Sequence, residues 1–276
     1  MRLFIGGMRG SLPATGGGFE KFGGETTSLL LVGSHGERLV LDAGTGMRAV
    51  AGQLAAAGPG EVTVLFSHYH LDHMAGLMMN PLFHSSEWSF KLVGPTFADG
   101  GVRQAVTRLL APPYWPVSFK KMKARIEFAE FTADEIQVGS LRVRGCSMPH
   151  PGGVLAYRID ETGPNASLVF ATDIEWRSRT DAQATAFMKL CCEPGPADML
   201  IIDAHFARAG AEAFAGWGHT CWEDGLEMAE SAGIKRVLLG HHAPEADDAT
   251  LHARQRQVKK RMPGSAFARA GQWLTI

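Results

Sequence analysis

The sequence lacks any run of about 18 apolar residues, the length a membrane-spanning helix requires, so no segment reads as a transmembrane span. It also lacks the marks of a signal peptide. Met1-Arg2-Leu3-Phe4-Ile5 meets Gly6-Gly7 before an apolar core of that kind can form. Cysteine is scarce: Cys146, Cys191, Cys192 and Cys221 are the four, and no C-x-x-C spacing occurs. An adjacent pair such as Cys191-Cys192 cannot easily bridge to itself, so a disulfide framework is excluded and free thiols in a reducing compartment are expected. A cytoplasmic location follows as the expectation. Charge of one sign is missing too, with 27 Lys+Arg against 28 Asp+Glu and a net charge of -1. No basic stripe stands out, which disfavours a long RNA or DNA partner and leaves a small anionic molecule open. Internal repeats and low-complexity tracts are absent as well.

What remains is a chain of 276 residues, 45% apolar and 20% charged, the balance of a soluble globular protein with a sizeable core. Apolar runs predict strands over Thr27 to Val32 and Arg38 to Leu41, joined by a turn at Gly33-Ser34-His35-Gly36. Met47 to Ala57 is alanine-rich and helical, closed by Gly58-Pro59-Gly60. Glu61 to Phe66 reads as a short buried strand, and Met74 to Met79 as a helix. A strand over Lys91 to Pro95 and a helix over Val102 to Leu110 precede the breaker Ala111-Pro112-Pro113-Tyr114-Trp115-Pro116, read as a packed loop ahead of a lid. Strands are then expected over Arg125 to Phe131, Leu141 to Cys146, Val154 to Ile159, Leu168 to Phe170, Met199 to Ile202 and Arg236 to Leu239, with a helix over Trp222 to Ala232. Strands and helices mix in both halves without a linker. That predicts one domain, residues 1–276, of layered sheets with outer helices.

The chemistry concentrates in Ser67-His68-Tyr69-His70-Leu71-Asp72-His73. Four ligand-type residues occupy six positions directly after a buried strand, where the chain turns at a sheet edge and polar groups can converge. His68 and His70 are two apart and share a side if the backbone stays extended. Asp72 and His73 are adjacent and diverge, so they suit a second ion better than the first. Imidazole and carboxylate at this density favour Zn²⁺, with Mn²⁺ or Fe²⁺ as alternatives. His150, Asp173 and His241 each lie just beyond an apolar run, as His68 does. If the sheets share an edge, all can meet there. His242 competes with His241, which comes sooner after its strand. His35, His84, His205 and His252 have no partner spacing and read as surface or packed histidines. Asp42 reads as a turn residue behind a ligand, and Met74, Met78 and Met79 as core packing. Lys120, Lys121 and Lys123 read as a solvated cluster.

The chain resembles the metallo-β-lactamase superfamily, and within it the phosphodiesterase-type branch that includes ribonuclease Z and the phosphoribosyl cyclic phosphodiesterases. The resemblance rests on Gly10-Ser11-Leu12-Pro13, Phe22-Gly23-Gly24-Glu25-Thr26-Thr27-Ser28, Leu41-Asp42-Ala43-Gly44-Thr45-Gly46, the histidine run, His150-Pro151-Gly152-Gly153, Thr172-Asp173, Gly218-His219-Thr220 and Gly240-His241-His242. It implies an α+β fold, a four-layer αββα sandwich with metals at one edge. It further implies that His68, His70 and His150 bind one zinc, that Asp72, His73 and His241 bind another, and that Asp173 bridges them. A hydroxide between the ions would be the nucleophile, oriented by Asp72. His219 matches the branch's His-Ser/Thr element, which steadies charge on a phosphoryl oxygen or aids the leaving group. Asp203 falls where ribonuclease Z pairs an acidic residue with that histidine. Glu25 and Ala243 depart from the branch, which often has Asn and Asp there, and both departures weaken transfer of a precise specificity.

The expectation is therefore a dinuclear zinc phosphodiesterase for a small or cyclic phosphodiester, with at most a second copy of the chain as protein partner. A lactone, thioester or β-lactam hydrolase is the alternative. Diiron redox members tend to carry Glu at the place of His70, which sets that class aside, and a non-catalytic binding module is the remaining contrast.

Overall fold

The computed structural model describes residues 1–132, 135–163 and 166–276. In chain order its elements begin with β1 (Arg2–Gly7), β2 (Ser28–Val32), β3 (Arg38–Leu41), α1 (Met47–Ala56), β4 (Glu61–Leu65), β5 (Ser89–Gly94), α2 (Val102–Leu109) and β6 (Arg125–Glu130). The second half adds β7 (Glu135–Val138), β8 (Leu141–Met148), β9 (Val154–Glu161), β10 (Ser167–Ala171), α3 (Asp181–Cys192), β11 (Met199–Asp203), α4 (Trp222–Ser231), β12 (Val237–Gly240), α5 (Asp248–Arg261), β13 (Ala266–Phe267) and β14 (Trp273–Thr275). One sheet runs β14-β1-β2-β3-β4-β5-β6 and the other β13-β12-β11-β10-β9-β8-β7. Each sheet is half antiparallel and half parallel. β3 to β6 are parallel in the first, and β10 to β13 in the second.

Alternation of side chains along the strands explains the layering. Leu29 and Leu31 of β2 and Leu39 and Leu41 of β3 join Leu168, Phe170, Met199 and Ile201 in an apolar layer between the sheets. The residues between them, Leu30 and Val40, join Val50 and Leu54 of α1 in a second layer. Val169, Leu200 and Ile202 of the other sheet pack with Phe187 of α3, Leu226 of α4 and Leu251 of α5 in a third. Strands covered on both faces must be apolar nearly throughout, which is why β2, β10 and β11 read as unbroken runs. The order is helix, sheet, sheet, helix: the α+β, four-layer αββα sandwich expected from the sequence. Tyr157 ties the sheets together at the end of β4, its hydroxyl donating to the Phe66 carbonyl at 2.8 Å. All four cysteines are free. No helix among the described residues is long and apolar enough to cross a membrane.

Two expectations need correction. Met74 to Met79 is not a helix; the chain makes two 3-10 turns, Leu71–His73 and Ala75–Leu77. The Ala43 amide donates to the His73 carbonyl at 2.8 Å, and the Gly76 amide to the Ala43 carbonyl at 2.9 Å, so the groups a helix needs are taken by the loop after β3. A side chain at Gly76 would collide with the Gly44 backbone, which fixes glycine there. Met74 is buried as core, whereas Met79 is 69% exposed. Helices α3 and α5 escape the sequence pattern. α5 is polar along most of its length and buries little more than Leu251 and Val258, one turn-pair apart. α3 is started by a capping box between Thr180 and Gln183 rather than by a strong apolar stripe.

Candidate metal centre

The parallel strands carry most of the site at their carboxyl ends, the place where open sheets leave a crevice, and the antiparallel strand β8 adds His150. Asp42 follows β3, His68 and His70 follow β4, His150 follows β8, Asp173 follows β10, Asp203 ends β11 and His241 follows β12. The chain turns sharply at these points. Among the described residues four non-glycine positions have left-handed backbone, and all belong here: Ser11 at φ 60°, Asp42 at 55°, Asp173 at 58° and His241 at 53°. Such residues cost about 1–3 kcal/mol each and persist where their surroundings over-determine them. Gly10 completes the turn, since a Cβ at that position would strike the His241 imidazole.

The expected ligands come together in two groups. Ring nitrogens of His68, His70 and His150 lie within 4.8 Å of one another, and so do donor atoms of Asp72, His73, Asp173 and His241. In the first group His150 Nε2 is 3.1 Å from His70 Nδ1. In the second, Asp173 Oδ2 is 3.1 Å from His73 Nε2 and 3.0 Å from His241 Nδ1. Asp72 Oδ2 is 3.2 Å from His73 Nε2 and accepts the Ser11 amide at 2.9 Å. Asp173 also reaches toward the first group, with Oδ1 3.9 Å from His150 Nε2.

Outer partners set which nitrogen of each ring is free. His73 Nδ1 donates to Asp42 Oδ2 at 2.8 Å, and His150 Nδ1 donates to the Gly218 carbonyl at 2.9 Å. Asp42 is itself held by the Ser67 amide and hydroxyl, each at 2.7 Å. It therefore acts behind His73, as its turn position suggested. These bonds leave Nε2 of His73 and His150 facing the crevice. Among the described residues, His68 Nε2, His73 Nε2, both nitrogens of His241 and Asp173 Oδ2 are buried without a hydrogen-bond partner. Buried polar atoms are rarely orphaned, and here the orphans converge. A divalent cation satisfies them together, so the residues fit the metal that the sequence led one to expect. Burial pushes His68 and His241 well below the usual imidazole range, toward the neutral form that binds metals.

His219 differs. Burial opposes its charged form, but Asp203, whose Oδ2 lies 2.9 Å from His219 Nδ1, lifts its pKa to about 9. A histidine held protonated is a proton donor rather than a ligand. Asp203 is fixed in turn, accepting the amides of Asp173 at 3.1 Å, His205 at 2.9 Å and Thr220 at 3.2 Å. Glu175 holds the loop beneath, accepting the amides of Gly216 at 2.7 Å and Gly218 at 3.1 Å.

The structure separates His241 from His242. His242 turns away, donates Nε2–H to the Ala268 carbonyl at 2.9 Å and packs near Phe22 and Phe267. His205 is packed rather than exposed, and it belongs to the site. Its ring stacks on His219 at 4.3 Å, and its Nδ1 donates to the His241 carbonyl at 3.1 Å. Its position two residues beyond Asp203 was the available signal. His35 and His84 are exposed, and His252 packs on Phe22. Lys120, Lys121 and Lys123 are exposed as expected. A cavity of about 420 Å³ opens beside His68 and His70, walled by Tyr69, Phe97, Leu109 and Tyr114. The proline-flanked segment thus lends Tyr114 to this wall, while Trp115 packs into the core.

A family described as the beta-lactamase superfamily domain matches residues 37–242. Among solved structures, the metallo-beta-lactamase fold protein YhfI from Bacillus subtilis is similar at 20% identity and TM-score 0.70, covering 99% of each chain. A diphosphatase of the PhnP family aligns at 16% identity and TM-score 0.71, covering 100% of this chain and 97% of the other. The short form of human tRNase Z aligns at 17% identity and TM-score 0.67, covering 100% and 99%. No curated protein matches the chain in sequence.

Proposed function

The chain belongs to the metallo-β-lactamase superfamily of metal-dependent hydrolases, and from that premise we propose that residues 1–276 form one dinuclear zinc phosphodiesterase acting on a small or cyclic phosphodiester. His68, His70 and His150 would hold one ion, Asp72, His73 and His241 the other, and Asp173 both. When bound, the ions would supply a nucleophile from water at neutral pH and draw charge from a phosphoryl oxygen.

The chain's own residues do the rest. Asp72 is anchored by the Ser11 amide through Oδ2, the oxygen that also lies 3.2 Å from His73 Nε2, and so held it would orient the attacking water. Asp42 and the Gly218 carbonyl fix the rings of His73 and His150. His219 gives Nδ1–H to Asp203, so Nε2–H is the proton it can offer to a phosphoryl oxygen or to the departing alkoxide. The observation that carries the phosphodiester reading is the hydrogen-bonded His219–Asp203 pair beside the donor cluster, with Nδ1 2.9 Å from Oδ2. A thioester expels a thiolate, which leaves without a proton, whereas an alkoxide leaving phosphorus needs one; a lactone also expels an alkoxide, so the lactone arm of the assay separates those two.

The test is His219→Ala, assayed on a generic phosphodiester, 2′,3′- and 3′,5′-cyclic nucleotides, a lactone and a thioester. Turnover of the phosphodiester should fall by about 10²–10⁴-fold with bound zinc unchanged. Intact phosphodiester turnover in the variant, or turnover of the lactone or thioester alone, would refute the reading.

A further inference from the structure

A second cavity of about 610 Å³ is lined by His205 of the site. Its wall is aromatic. Phe206 stacks on Phe214 at 4.6 Å, and Phe214 meets Trp217 edge-on at 5.3 Å. Phe214 and Trp217 stay 38% and 61% exposed, large apolar rings left uncovered at the mouth of a site. Phe206 is 6.0 Å from the His219 ring, so the wall is continuous with the proposed proton donor.

Arg254 of α5 lines the same cavity. Its Nη1 is buried and makes no hydrogen bond among the described residues. Two more deeply buried arginines find backbone acceptors, although Arg9 Nε, like Arg254 Nη1, has none among the described residues. Arg9 gives its guanidinium to the carbonyls of Ala243, Ala246 and Gly23. Arg158 gives its own to Leu190, Cys191 and Gly195. Glu223 is the carboxylate whose charge bears on Arg254, but one of its oxygens already accepts the Arg208 amide at 2.9 Å. Glu245 sits exposed among the lining residues. A buried N–H without an acceptor is costly, and the cost is offset when an anion enters.

We infer that this cavity is a subsite for an anionic group at the far end of one substrate arm, a terminal phosphate or carboxylate, with Arg254 as its counter-charge. The body of that arm lies along Phe206, Phe214 and Trp217. The inference rests on the phosphodiester reading for the identity of the reacting group, and on Arg254 alone for the second anion.

Two measurements on the full-length, zinc-loaded protein test it. The first is titration calorimetry with inorganic phosphate, in which the natural protein should bind one phosphate more than Arg254→Met. The second compares the p-nitrophenyl ester of thymidine 5′-phosphate, with a free 3′-hydroxyl, against its 3′-phosphorylated and 3′-succinylated forms. The kcat/KM ratio of charged to neutral substrate should be about 10 to 100. It should fall to near unity in Arg254→Met and recover in part in Arg254→Lys, and whichever charged form shows the larger ratio identifies the natural anion. Equal phosphate stoichiometry in the two proteins, or a loss in Arg254→Met that falls alike on charged and neutral substrates, overturns the inference. An extra phosphate site in a protein that cleaves none of the diesters would instead sink the phosphodiester reading and leave the anion subsite standing.

Discussion

The two donor groups at the sheet edge are built from different chemistry. His68, His70 and His150 are three imidazoles with no carboxylate of their own, and His70 is exposed. Asp72, His73, Asp173 and His241 combine two carboxylates with two imidazoles, all buried. The first group is formally neutral and borrows charge through the second oxygen of Asp173. The second carries two negative charges in a desolvated place, held low against burial by neighbouring imidazoles: His241 and His73 for Asp173, and His73 for Asp72. Two buried carboxylates demand a counter-cation more strongly than three neutral rings do. The second group should therefore bind its ion more tightly, and the first should fill later and empty earlier.

The largest expected effect abolishes the comparison. Asp173→Ala removes the one carboxylate that faces both groups, so both affinities and all turnover should collapse, beyond the roughly 100-fold that marks loss of an outer partner. Retention of two ions by that variant would show that Asp173 bridges nothing. A smaller effect separates the groups. Asp42→Asn removes the charged acceptor behind His73 and should weaken the second ion alone by about 10- to 100-fold, read as a shift in only one phase of a zinc titration. Smallest is Ser67→Ala. Ser67 Oγ lies 2.7 Å from Asp42 and 3.0 Å from His68 Nδ1, touching both groups at once. Its loss should cost each ion no more than about tenfold, with the two phases moving together. Unequal movement would mean that the hydroxyl serves one group only.

Much of this was legible in the residue order. His68, His70, His150, Asp173 and His241 sit directly after strands, and a strand end fixes both position and direction. Asp42 could be placed behind a ligand because a turn after β3 brings it beside the end of the parallel strand β4. What the order hides is contact made across the sandwich. His205 had no spacing partner because its partners, the ring of His219 and the carbonyl of His241, arrive from other loops. Arg254 rides on a helix too polar to announce itself, and its significance lies in bonds it does not make. The Met74 to Met79 segment misled because its Gly76 amide, and the His73 carbonyl just ahead of it, are claimed by Ala43 from the loop after β3. Local pattern locates strand ends well and says little about what the opposite wall contributes.

The central claim is two ions of unequal affinity sharing Asp173. The most direct measurement is native mass spectrometry of metal-stripped protein during stepwise addition of zinc, with His150→Ala titrated in parallel. The account predicts two zinc ions per chain taken up in two separate steps, and only the tighter step surviving in His150→Ala. A natural protein that stops at one ion, or a His150→Ala variant that loses the tighter step and keeps the weaker, would contradict it.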